Sequence, residues 1–467
     1  LLDYYELRKK VAGIIPRMTQ LVMKKKHTAA VQEKGRKAGY REFKLGQCEW
    51  VKQERLLNTQ EINSFAEISC RAQACPMPLN LDVWDGLLCP YNCRYCFANA
   101  FRASLYTAFF DNSKTMGIRH CNPDMYKREL GKLMKYRGKD PHSISNDVGK
   151  AVAMDLPMRL GIRFEDFLDE EKEAGISLQL LKYLSSQSYP VMINSKSALV
   201  GTEPYAKALS GNKGKAAVHT TLISSDDKLL KELEPGAPPY KDRLEAMAAL
   251  VQAGVRVVAR IEPFLPFIND KEDDVRKYIA DMKRIGVGHI TFDTYSYSAN
   301  NPGIRQSFIN SGFDWERIFL IGCDSQALGS LLLGSFMEMF RKEGFSCSTF
   351  DMGNVPTNDQ RVCCEVEDWF PKSGFNYGCS VYAARFVQAS KKPVRWRDFQ
   401  AWVNEHGGFL SPALEMEVHQ LWNMEGNEAY SHAWARGIEA CGWERDGMVW
   451  RFSPKGDFRE DLLEGML

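Results

Sequence analysis

The chain has 467 residues, 44% hydrophobic and 26% charged, with a formal net charge of +2. That composition is ordinary for a globular protein with a sizeable core and excludes wholesale disorder. No apolar run approaches the roughly 18–20 residues of a bilayer-spanning helix, and thirteen scattered cysteines exclude the even-numbered framework of a small secreted domain. A reducing cytoplasm and metal-binding thiols are expected, with no membrane partner.

In chain order, residues 1–77 read as a basic, mostly helical extension. Its opening, LLDYYELRKK, lacks the apolar core of a secretion signal. Residues 1–55 hold 14 Lys or Arg against 6 Asp or Glu. Clusters such as RKK and MKKKH suit either phosphates or a solvated face.

From 78 to 311 the pattern changes to short apolar or β-branched runs alternating with amphipathic stretches. LNLDVW, MRLGIRF, PVMINSK, AAVHTTLI, VRVVARIEPF and HITFDTY are the strand candidates. Between them, KDRLEAMAALVQAG places Leu244, Met247, Ala248 and Val251 on one helical face and ends at Gly254. Six strand–helix repeats with short joins predict parallel strands in an α/β fold. Six are too few for a closed eight-stranded barrel, so the expectation is a partial (βα)6 TIM-like barrel with ligands at the carboxyl ends of its strands.

Residues 312–390 form a cysteine-containing accessory region, and 391–467 a further domain of three helices and a hairpin. Ser411-Pro412 suits a helix start and Asp446-Gly447 a hairpin turn. Together they suggest a winged helix, a common nucleic-acid or protein contact module.

The loop after the first expected strand carries the chemistry. LLCPYNCRYCFANAF places Cys89, Cys93 and Cys96 in a C-x3-C-x2-C run followed by Phe97. Thiolates are soft ligands that favour zinc or iron–sulfur clusters. Structural zinc takes four ligands, so this loop would need a distant fourth. A four-iron cluster held by three cysteines instead leaves one iron open.

This motif resembles that of the radical S-adenosylmethionine (SAM) superfamily. The resemblance implies a 4Fe-4S cluster on Cys89, Cys93 and Cys96, SAM on the open iron, and a reductant such as flavodoxin or ferredoxin. It implies reductive cleavage of SAM to a 5′-deoxyadenosyl radical within a partial (βα)6 barrel. Downstream, PVMINSKSALV and the stretch from HTTLISSDD to EPFLPFIND are similar to the spore photoproduct lyase and photolyase-like branch, over roughly residues 80–300. Carried over, the Phe97 backbone meets adenine and Lys196 meets the carboxylate or ribose of SAM. Ser195, Thr221 and Arg260 are further pocket candidates, Thr221 standing where relatives tend to have Ser. Glu234 and Arg243 read as a structural pair.

One departure bears on substrate. The lyase donates hydrogen from a cysteine on its second strand, and AMDLPMRLGIRFEDF has none, offering Arg163 and Glu165 instead. Thymine-dimer repair by that route is therefore not expected. Modification or repair of a nucleobase in DNA or RNA is the leading expectation. A peptide or protein substrate and a non-catalytic, metal-stabilised nucleic-acid-binding protein are the alternatives.

A second cysteine group, Cys323, Cys347, Cys363, Cys364 and Cys379, falls within 57 residues. Cys347, Cys363, Cys364 and Cys379 form the best quartet for an auxiliary iron–sulfur cluster, with zinc or unliganded thiols as alternatives. Cys70 and Cys75 are a weaker pair.

Overall fold

The structure, a computed structural model, describes residues 4–13, 60–62, 69–70, 79–86, 89–96, 118–162, 164–295, 326–349, 364–369, 394–405, 443–446 and 449–452, and single residues 309, 312 and 359. The MKKKH cluster, Cys75, Phe97, Arg163, Cys323, Cys363, Cys379 and the helices expected between 411 and 440 lie outside the described residues.

The strands in chain order are β1 (Gln60–Ile62), β2 (Ser69–Cys70), β3 (Leu79–Leu81), β4 (Trp84–Asp85), β5 (Arg119–Cys121), β6 (Met158–Leu160), β7 (Val191–Ser195), β8 (Ala216–Thr221), β9 (Arg256–Phe264), β10 (His289–Thr294), β11 (Ser346–Thr349), β12 (Val394–Arg395), β13 (Trp443–Asp446) and β14 (Val449–Phe452). The main sheet runs β11-β10-β9-β8-β7-β6-β3-β2. Its seven strands from β3 to β11 pair in parallel, and β2 closes one edge antiparallel. The six expected strands are therefore neighbours in chain order, in an α/β sheet that does not close into a barrel among the described residues.

The sheet also runs past residue 311. Helix α10 (Gln326–Lys342) leads into β11, whose Ser346-Cys347-Ser348-Thr349 pairs with β10 from His289 to Phe292. Helix α1, residues 4–13, buries Tyr4, Leu7 and Val11, one stripe at helical spacing. The Tyr4 ring packs 4.9 Å from Phe336 of α10. Arg8 holds Asp270 at 2.8 Å, and the Tyr4 hydroxyl donates to the same carboxylate.

Helices α2 (Pro123–Met134), α3 (Asp147–Ala153), α4 (Glu171–Ala174), α5 (Ile176–Ser186), α6 (Glu203–Ser210), α7 (Asp227–Leu233), α8 (Tyr240–Gln252) and α9 (Glu272–Ile285) fill the crossovers. Local chemistry sets their ends. Asp226 caps α7 by accepting from Lys228 N and Leu229 N at 2.9 and 3.3 Å. α9 has three acids in its first turn, Lys283 and Arg284 in its last, and Gly286 as a left-handed cap. The buried face of α8 is Arg243, Leu244, Ala246, Met247 and Leu250; Ala248 and Val251 sit at its margin, partly buried.

Register fixes what each sheet face presents. Ser195, Thr220, Ala259, Ile290 and Cys347 form one row. The adjacent rows, Asn194–His219–Val258–His289–Ser346 and Thr221–Arg260–Thr291–Ser348, point to the other face because strand side chains alternate. The first face is apolar and helix-covered, with Leu81, Leu160, Ile193, Val218 and Phe292 all buried. The second is polar. The charge of Arg159 on β6 acts on Glu262 of β9, three strands away, as a sheet curled around a hollow allows.

The amino end of that hollow is met by residues 364–369. Arg256 grips Asp368 with two hydrogen bonds of 2.7 and 3.0 Å and donates to the Glu365 carbonyl at 2.6 Å. The His219 ring meets the Cys364 carbonyl at 3.1 Å. Toward the carboxyl end of the chain, β12, β14 and β13 form an antiparallel sheet beside helix α11 (Trp396–Glu405); Asp446 closes the expected hairpin.

Gly161 at the end of β6 has φ +75°, and a Cβ there would meet the Asn194 carbonyl oxygen at 2.0 Å. Gly161→Ala is expected to cost about 2 kcal/mol or more. Urea unfolding checks this; a change within about 0.5 kcal/mol would contradict the packing described.

Candidate functional site

Buried carboxylates hold the strand ends at the carboxyl edge of the sheet. Asp166 Oδ1 accepts from Val83 N and Trp84 N at 2.9 and 3.0 Å, and its Oδ2 from Gly161 N at 2.9 Å. Glu165 accepts from the Ser195 hydroxyl at 2.7 Å, Lys196 N at 2.9 Å and Phe167 N at 3.2 Å. These bonds tie the chain leaving β6 to the ends of β3 and β7. Burial pushes the Glu165 carboxyl up, while its bonds from Lys196 N and Ser195 pull against that.

The cysteine loop sits on this platform. Cys89, Cys93 and Cys96 are free thiols at partly buried positions. The loop is folded by Asn92 N to Cys89 O at 3.0 Å and Cys96 N to Cys93 O at 3.1 Å, with Asn92 in the left-handed region at φ +46°. It docks on the last residue of α7 and the segment that follows, through Arg94 N to Leu233 O at 2.8 Å and Gly236 N to Tyr91 O at 3.1 Å. A Cβ at Gly236 would lie 2.1 Å from the Pro90 carbonyl oxygen, so only glycine admits this contact.

Beneath the loop lies a fully buried ion pair, Glu234 with Arg243, at 2.5 Å. The Tyr95 hydroxyl, between Cys93 and Cys96 in the loop, donates to Glu234. Arg243 donates to the Thr221 carbonyl at 3.0 Å and the Pro238 carbonyl at 2.7 Å. The ion pair expected from the sequence thus forms, and it joins the cysteine loop to the end of β8. Tyr95 is the partner that sequence reasoning missed; its only signal was its place between two cysteines.

Lys196 extends from the end of β7 until its ammonium is 5.6 Å from the centre of the Tyr95 ring. Burial acts to lower its pKa, but the charges of Cys93, Glu234 and Cys96 outweigh burial and hold it raised. Burial pushes the Cys89 thiol up to about 12 and raises Cys93, on which Lys196 acts in the opposite sense. The three thiols and the ammonium therefore share one electrostatic neighbourhood.

The remaining candidates divide. The Ser195 hydroxyl donates to Glu165 and accepts from Ser197 N at 2.8 Å, so it braces the strand end. Thr221 and Arg260 are register partners on the polar face. Arg260 and the Thr291 hydroxyl both donate to Glu262. Burial raises the Glu262 carboxyl, yet Arg260, Thr291 and Arg159 together hold it below the usual range.

Cys347 and Cys364 are both buried. The Cys347 thiol lies 3.7 Å from the Met337 carbonyl of α10, on the helix-covered face. The Cys364 carbonyl is met by His219 from the opposite face. Among the described residues, no three His, Cys, Asp or Glu side chains converge on a single metal ion, a convergence that three thiols each binding a different iron of a cluster do not need, and no helix is long and apolar enough to cross a membrane.

No family model matches the chain. A curated protein of the Acidianus two-tailed virus, the uncharacterized protein ORF301, is 24% identical over 154 residues, 32% of this chain and 48% of that protein. The match thus spans about half of that relative's length. Among solved structures, spore photoproduct lyase complexed with dinucleoside spore photoproduct is similar with a TM-score of 0.43 and 12% identity, covering 62% of this chain and 81% of that one. SuiB of Streptococcus suis, bound to precursor peptide SuiA, is similar with a TM-score of 0.37 and 12% identity, covering 60% of this chain and 49% of that one.

Glu234→Gln leaves Arg243 buried without its countercharge and is expected to destabilise the fold by about 3–5 kcal/mol, read by urea unfolding. Glu262 titrates in the folded state below its unfolded value, so its stabilisation is present above the ordinary carboxylate range and lost as pH falls through the folded pKa. Glu262→Gln should flatten the fall of stability between about pH 5 and pH 2. An unchanged acid profile would contradict the pairing.

Proposed function

We propose that this chain is a radical SAM enzyme that modifies or repairs a nucleobase in DNA or RNA. One observation carries the reading. Three free thiols occupy a single eight-residue loop that follows the first parallel strand of a curled sheet, and the Lys196 ammonium stands 5.6 Å from the ring of Tyr95 within that loop. The donor set fits a four-iron cluster: the thiols are soft ligands, and three of them leave one iron open.

When bound, such a cluster supplies the low-potential electron that cleaves SAM reductively, giving a 5′-deoxyadenosyl radical able to take hydrogen from a substrate. The chain's own residues do the rest. Cys89, Cys93 and Cys96 hold the metal, and the Tyr95–Glu234–Arg243 network keeps their loop seated on β8. Lys196 offers a charge-assisted contact to the carboxylate of SAM, its backbone fixed by Glu165. The Phe97 backbone would meet adenine, and Thr221 would line the pocket from the end of β8.

The polar face of the sheet supplies the substrate side. Arg159, Arg260, Glu262 and Thr291 present donors and an ionised carboxylate in the hollow below the strand ends. Such groups suit a hydrogen-bonding heterocycle better than an aliphatic group. The basic residues of the first 55 positions and the hairpin of β13 and β14 beside α11 support a phosphate-bearing partner. A flavodoxin or ferredoxin in the cytoplasm would serve as reductant.

Anaerobic reconstitution with iron and sulfide, followed by dithionite and SAM, tests the chemistry. The wild type should hold about four irons per chain and release 5′-deoxyadenosine, with Cys93→Ala losing that product while remaining folded. Undiminished cleavage by Cys93→Ala would remove the assigned ligand. For the substrate, retarded mobility of a DNA or RNA probe, weakened steeply by salt, is expected. Absence of binding at low salt would count against a nucleic acid and for a peptide.

A further inference from the structure

We propose that Lys196 sets the reduction potential of a cluster held by Cys89, Cys93 and Cys96, independently of any contact it makes with SAM. The inference rests on the cluster reading given above. Tyr95 lies between Cys93 and Cys96 in the loop, and its ring stands 5.6 Å from the Lys196 ammonium. The ring cannot drift, because its hydroxyl is anchored on Glu234 and Glu234 on Arg243. The lysine cannot swing away at its root, because its backbone N–H is held by Glu165. The ring and the root of the lysine are thus each held by a buried carboxylate.

The charges facing the ammonium are the thiols of Cys93 and Cys96 and the carboxylate of Glu234, with Arg243 behind Glu234. Reduction adds one electron and makes or breaks no bond, so it places a further negative charge on the group the thiols hold. A fixed positive charge nearby favours that state and raises the potential, more strongly in a partly buried site than in water. Lys196 would thus ease electron entry before SAM arrives. Arg243 is a second cation acting on Cys93, but its charge is paired with Glu234, whereas that of Lys196 faces the thiols.

The test is a potentiometric titration followed by electron paramagnetic resonance. It uses the full chain reconstituted with iron and sulfide, with no SAM present. Lys196→Met should lower the midpoint so that reduction becomes about tenfold less favourable, a shift of about 59 mV for one electron. Lys196→Arg should stay within a third of that shift, and Lys182→Met, on the exposed face of α5, should leave the midpoint in place. Lys196→Gln is a second neutral variant should the methionine variant fail to take up iron. A wild-type midpoint in either neutral variant at full iron content overturns the role of Lys196 and leaves the cluster reading standing. A wild-type chain that takes up no iron–sulfur chromophore overturns both.

Discussion

The structure turns on one buried ion pair. Glu234 and Arg243 face each other with both side chains fully removed from solvent, where either charge alone would cost several kcal/mol. Each partner also reaches outward, Glu234 to the Tyr95 hydroxyl and Arg243 to the Thr221 carbonyl. The pair thus fixes a loop near residue 95 against a strand end near residue 221. Without it, three thiols would hang on a loop with no defined relation to the sheet. With it, the loop that carries them is seated so that Tyr95 lies 5.6 Å from the Lys196 ammonium at the end of β7.

The second constraint is the division of the sheet into two unlike faces. Outward rows such as Leu81, Leu160, Ile193 and Val218 bury apolar surface under helices, the main source of stability. Inward rows carry Arg159, His219, Arg260, Glu262, His289 and Thr291, polar groups that gain nothing from an apolar lining. They persist because they satisfy one another: Arg159 with Asn80 at 2.8 Å, Arg260 and Thr291 with Glu262, His289 with Ser346 at 2.7 Å. Burial, together with the charge of Arg260, holds the His219 pKa well below its ordinary value. A face lined this way is suited to a polar ligand.

Much of this was legible in the sequence, for reasons that differ by element. The six strands from β3 to β10 announced themselves by short apolar runs between amphipathic helices, and the cysteines by spacing. The seventh strand did not, because Ser346-Cys347-Ser348-Thr349 has no apolar run and is recognised only by its partner β10. Nothing in the spacing of the acidic stretch RFEDFLDEE marks its carboxylates as buried. In the fold Glu165, Asp166 and Glu171 are all buried, each accepting hydrogen bonds from chain distant in sequence. Such carboxylates are invisible to periodicity because what they satisfy is tertiary. The joining of Glu234 and Arg243 was foreseen, but Tyr95 was not, since nothing local tells a core tyrosine from one anchoring a loop.

The central claim is that the thiols of Cys89, Cys93 and Cys96 hold a four-iron cluster with one iron left for a small ligand. Mössbauer spectroscopy of the protein reconstituted with iron-57 addresses it most directly. On addition of SAM, about a quarter of the iron should move to a distinct site of higher coordination while the rest stays in place. Iron that remains uniform with and without SAM would contradict the account.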